Sequence, residues 1–219
     1  MNGIRMRALQ AKGYAIAARK TGLQHDIFRP VGATNPLDVA HKIASLPATW
    51  KPASPGDAFR GANLYGKPAW FGYYDFLQTR VGDYMVRQED NATWFIIAQQ
   101  HLLQPTAVEC NAVVSFVRPT SAASFGAQTT YNGDQLATEV PLLTGWPASM
   151  LAGSKGEKTD IVIPGDTRLP WFSVLLPAVG GVDLLTNDIM LDGAGRRYKV
   201  SSVEKTDLGF RLSVAYSQT

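Results

Sequence analysis

Apolar and polar positions alternate most clearly in two hairpin-like stretches that echo each other. The first runs Asp83-Tyr84-Met85-Val86, a polar turn from Arg87 to Asn91, then Phe95-Ile96-Ile97-Ala98. The second runs Asp188-Ile189-Met190-Leu191, a turn Asp192-Gly193-Ala194-Gly195, then Tyr198-Lys199-Val200-Ser201, with Lys199 between two core-type positions. Upstream, Pro68-Ala69-Trp70-Phe71 is echoed by Leu169-Pro170-Trp171-Phe172. Downstream, alternating strands close each copy, Ala112 to Val117 and Phe210 to Tyr216. The pattern predicts two diverged copies of one small β unit, roughly fifty residues each. Asp83 and Asp188 occupy matched strand entrances, where a carboxylate accepts hydrogen bonds from turn N–H groups.

Outside the repeat the signals are more local. Arg5 to Lys20 is alanine-rich with basic polar positions and is followed by Gly22, which predicts a helix with a glycine C′ residue. Its small-residue face suits close approach, either to another protein or to its own domain. His25 to Arg29 alternates as a strand, and Asn35-Pro36-Leu37-Asp38 resembles a helix start, predicting a helix that runs to Leu46 before Pro47. Pro47 to Gly66 reads as a connecting arm. Thr120 to Thr130 is small and polar, Asn132-Gly133 signals a turn, and Thr138 to Trp146 and Ile161 to Ile163 read as strands. The expected division is therefore an N-terminal helix and arm (1–66), a first β unit (67–119), a linker with extra strands (120–168) and a second β unit (169–219). The fold class is mainly β with an N-terminal helical segment (α+β), built on two small antiparallel β-barrel or sandwich units.

Composition narrows the function classes. The 219 residues suffice to bury a core without disulfides, and the single Cys110 precludes an internal pair. Net charge is +3, well below the concentrated basic surface of a dedicated nucleic-acid binder. No stretch reads as a signal peptide or membrane anchor. His25, His41 and His101 lie in different elements with no paired ligand, so each reads as a surface or capping residue. Gly153 to Thr159 imitates a phosphate loop, but Glu157 stands where glycine must precede the lysine. Trp70, Trp94 and Trp171 read as core, although aromatic platforms also stack bases or sugars. No catalytic, metal or cofactor constellation emerges.

The hairpin motifs carry a resemblance. Gly82-Asp83-Tyr84-Met85-Val86 with Phe95-Ile96-Ile97, and Asn187-Asp188-Ile189-Met190-Leu191 with Tyr198-Lys199-Val200, resemble the small β-barrels of tailed-phage head-closure and head–tail connector proteins. The run from Tyr14 to Pro30, Asn35-Pro36-Leu37, Gly145-Trp146-Pro147 and Lys155-Gly156-Glu157-Lys158 is similar to virion proteins of proteobacterial phages and prophages. The resemblance implies a non-enzymatic structural subunit without cofactors, assembled in the bacterial host cytoplasm and located in the virion. It implies a homo-oligomeric ring at the connector, neck or tail hub, contacting portal, adaptor or tail proteins, with passing contact to genomic DNA. Edge strands left by each β unit would pair with neighbouring subunits. Arg5, Arg7, Lys12, Arg19 and Lys20 would meet the partner, so deleting the first twenty-two residues should abolish attachment and leave the β units folded. A glycan-binding or glycan-degrading tail component and a capsid decoration protein are the alternatives.

Overall fold

In the computed structural model the described residues are 2–52, 68–119, 139–153, 171–178 and 181–217. Helix α1 (Gly3–Thr21) starts where the Asn2 side chain accepts the Ile4 N–H, and it buries only Ala11, Ala15 and Ala18. Of the two readings of the small-residue face, the structure realises packing on the chain's own domain. Gly22 is not left-handed as a C′ glycine would be. Its backbone is extended, and a Cβ there would lie 2.6 Å from the carbonyl oxygens of both Ala18 and Ala48. Glycine is needed for close approach of helix to strand.

Twelve strands follow among the described residues. The first six are β1 (Leu23–Phe28), β2 (Lys42–Pro52), β3 (Ala69–Tyr73), β4 (Tyr84–Arg87), β5 (Thr93–Ala98) and β6 (Thr106–Cys110). They close into an antiparallel barrel in the order β1-β2-β3-β6-β5-β4. The other six, β7 (Ala112–Pro119), β8 (Glu139–Ala152), β9 (Trp171–Leu176), β10 (Ile189–Asp192), β11 (Arg197–Thr206) and β12 (Gly209–Tyr216), close as β10-β11-β12-β9-β8-β7. The chain is mainly β, with one N-terminal helix and two six-stranded antiparallel units.

Strand pairing groups the residues differently from the sequence reading. Ala112 to Val117 opens the second barrel, and β6 closes the first. The predicted helix from Asn35 to Leu46 is absent. Asn35 and Asp38 cap only the Leu37 N–H and a single 3-10 turn, Val39–His41, before β2 begins. Leu46 and Ala48 are buried at alternate positions of β2, so period two prevails over the helix-start signal. The 120–168 region contributes β8, a full barrel strand. The Thr120–Thr130 boundary, the Asn132-Gly133 turn, the Ile161–Ile163 strand and the arm from 53 to 66 lie outside the described residues.

The repeat is thus the whole six-strand unit. Ile27-Phe28-Arg29-Pro30 at the end of β1 corresponds to Phe116-Val117-Arg118-Pro119 on β7, and Leu46-Pro47-Ala48 on β2 to Trp146-Pro147-Ala148 on β8. The Trp-Phe echo is out of register by one. Trp70 pairs with Ala107 of β6, whereas Phe172, not Trp171, pairs with the equivalent Val214 of β12.

One residue, Asn111, joins the barrels. Its side chain accepts the Met150 N–H at 2.7 Å and donates to the Met150 carbonyl at 2.8 Å, while its own N–H donates to Ala148. Two cores result. One fills the first barrel with Ile27, Leu46, Ala48, Tyr74, Met85 and Ile96, joined by Ala11 of the helix. The other fills the second barrel and extends to Phe28, Tyr84, Phe95 and Val108 on the outside of the first. Trp146 to Ser149 are buried at four consecutive positions, as expected of a strand covered on both faces. Tyr84 marks the seam, donating its hydroxyl to the Pro147 carbonyl at 2.8 Å and packing edge-on against Trp146.

Candidate functional site

The matched aspartates end up at matched ion pairs. Asp83 is fully buried and accepts two hydrogen bonds from Arg29, Nε at 2.9 Å and Nη2 at 2.7 Å, as well as the Arg80 N–H. Asp188 accepts Arg118 in the same way, at 2.7 and 2.9 Å, and the Leu185 N–H. The residue before each aspartate is left-handed, Gly82 at φ 90° and Asn187 at φ 73°. Each aspartate therefore holds its own turn and ties the entrance of β4 or β10 to the end of β1 or β7. The turn hydrogen bonds follow the sequence reading. The arginines were missed, although the Arg-Pro dipeptides following β1 and ending β7 were a visible signal. Each carboxylate is committed to bidentate arginine and backbone, an arrangement of structural pinning.

The first barrel also contains a polar aromatic cluster. His25 is 1% exposed, not a surface residue, because it alternates inward with Ile27 on β1. Its Nδ1 lies 2.8 Å from the Leu23 carbonyl, and the Trp50 indole N–H donates to Nε2 at 3.0 Å. A carbonyl only accepts and an indole only donates, so the proton sits on Nδ1 and the ring is neutral. Trp50 stacks on Trp94 at 5.0 Å, the Arg87 guanidinium covers Trp94, and Trp70 donates to Glu109 at 2.8 Å. By register the second barrel has Val114 and Met150 where the first has His25 and Trp50. Both imidazole nitrogens are engaged, so the cluster packs the barrel end.

Desolvation lowers the His25 pKa from 6.5. The unfolded chain then takes up a proton near 6.5 while the folded chain does not. Stability from this group is complete above that pH and falls as pH drops through it. We expect the melting temperature to fall more steeply between about pH 7 and 5 in the native protein than in His25→Val, which copies the second barrel. Parallel slopes in the two proteins would count against this coupling.

The five predicted partner-binding cations all lie on α1. Arg5, Lys12, Arg19 and Lys20 are exposed, while Arg7 is half-buried over the Phe76 ring and serves the helix's own packing. Deleting residues 1–22 would strip Ala11, Ala15 and Ala18 from the first-barrel surface, so this truncation tests folding as much as attachment. At the β10–β11 turn, Asp192 accepts the N–H groups of Ala194, Gly195 and Arg196. Gly195 is left-handed at φ 76°, and Gly193 is not. Cys110 is a free thiol whose pKa burial pushes up. Among the described residues no cluster of histidine, cysteine and carboxylate groups has metal-binding geometry, and no helix is long and apolar enough to cross a membrane.

No family model, curated protein or solved structure matches this chain.

Proposed function

We propose that this protein is a non-enzymatic structural subunit of a tailed-phage virion, forming a ring at the head–tail connector, neck or tail hub. The observation that carries the reading is the construction of the body. Two barrels are joined by one residue and share a core, making one block with a basic helix laid on its outside. The motifs that resemble connector barrels fall on β4–β5 and β10–β11, at corresponding places in the two barrels. Free strand edges are not offered for pairing between subunits by the described strands, each of which already has two neighbours. In this reading side-chain surfaces, with α1 foremost, do the joining.

Native mass spectrometry of the purified protein, alone and mixed with portal or tail proteins, tests this. A closed ring of about six or twelve copies, formed alone or on a partner, is the expected result. A monomer or trimer under every condition would move the assignment to decoration or to a glycan-facing tail component.

A further inference from the structure

The outer surface of α1 has a periodicity that its packing does not use. The buried residues Ala11, Ala15 and Ala18 follow the spacing of a helix seam. One residue round, Arg5, Leu9, Lys12, Ile16 and Arg19 repeat that spacing of four and three, alternating cation and aliphatic for roughly 20 Å along the helix. Leu9 is 51% exposed and Ile16 is 45% exposed. A face that only needs solubility has no use for aliphatic residues at both positions between cations.

Charge decides what fits there. The first 25 residues contain five Lys and Arg and no Asp or Glu, leaving sixteen basic against eighteen acidic side chains elsewhere, a net of −2. Arg5, Lys12 and Arg19 make no ion pair among the described residues, so the described residues supply no carboxylates to this seam. Two copies of α1 packed seam to seam would oppose like charges, which excludes a symmetric helix dimer. A nucleic-acid backbone would satisfy the cations but cover Leu9 and Ile16 without apolar contact.

We propose that this seam docks an acidic amphipathic helix of a partner protein, with aliphatic residues at heptad spacing meeting Leu9 and Ile16 and carboxylates meeting Arg5, Lys12 and Arg19. This deepens the attachment role given to α1 above. Because the helix is already held to the barrel through its alanines, the seam is preorganised for docking.

The test uses the full chain and a fluorescent synthetic peptide of three heptads, leucine on its seam and glutamate on its flanks. Anisotropy should show saturable binding that weakens with salt. Leu9→Ser with Ile16→Ser should weaken it about tenfold or more, and Arg5→Glu with Lys12→Glu and Arg19→Glu should abolish it. Neither set touches the buried alanines, so melting temperatures should hold. If the charge variant melts early, the double-serine variant decides. No binding by the native protein, binding indifferent to the serine substitutions, or tighter binding of duplex DNA would each overturn the proposal. Peptide binding by a protein that never forms a ring would keep the docking seam and remove the connector-ring reading.

Discussion

Arg118→Ala is expected to destabilise the protein by about 3 kcal/mol, the lower end for breaking one side of a buried ion pair because Arg118 is itself partly exposed. The loss comes from what stays behind. Asp188 is 2% exposed and would keep only the Leu185 N–H against a full negative charge. The Asp183 carbonyl would also lose its hydrogen bond from Arg118, made at 2.7 Å. Arg29→Ala in the first barrel should cost less, about 2 kcal/mol, because the Arg80 guanidinium already stands 3.6 Å from Asp83 and can move in. Denaturant midpoints at neutral pH measure both. Equal losses, or a larger loss at Arg29, would show that the second cation does not compensate. Arg118→Lys should recover only part of the loss, since an ammonium cannot reproduce the two-point contact.

Trp146→Ala is expected to cost about 3–5 kcal/mol and to loosen one barrel from the other. The ring is fully buried, packs against Tyr84 of the first barrel, and donates its indole N–H to the Ala33 carbonyl at 3.0 Å. Its removal opens a cavity at the core the barrels share and takes one of two donors from that carbonyl, which keeps the Thr144 N–H at 3.0 Å. The native protein should unfold in one calorimetric transition, and Trp146→Ala in two, the second barrel no longer sharing the fate of the first. A single transition at a modestly lower temperature would mean that Asn111 and the remaining contacts suffice for cooperativity.

The hairpins were legible because each repeats the other's order of aspartate, apolar arm, polar turn and apolar return, even though Tyr84-Met85, Trp94 to Ile96 and Ile189-Met190 are buried at adjacent positions. The strands that escaped lack that echo. On β6, Ala107 faces the first-barrel core and Val108 the seam between barrels, so adjacent positions are both buried and no alternation survives. The β8 strand shows the same effect at Trp146 to Ser149, and a bulge with Gly145 at φ 68° further interrupts its period. In the candidate sites, Asp83 and Asp188 stood out because they repeat. Arg29 and Arg118 did not, because each lies tens of residues from the aspartate it binds.

The sequence by itself determined the α1 helix, the two hairpins with their likeness to each other, and the basic character of the N-terminal segment, each read from residues that lie close together in the chain. The tertiary structure decided where one copy ends and the next begins, since barrel closure pairs β1 with β4 and β7 with β10 across long stretches of chain. It also decided that His25 is a core residue and that α1 turns its alanines inward. Those outcomes depend on which surfaces meet after closure, and spacing along the chain has no record of them.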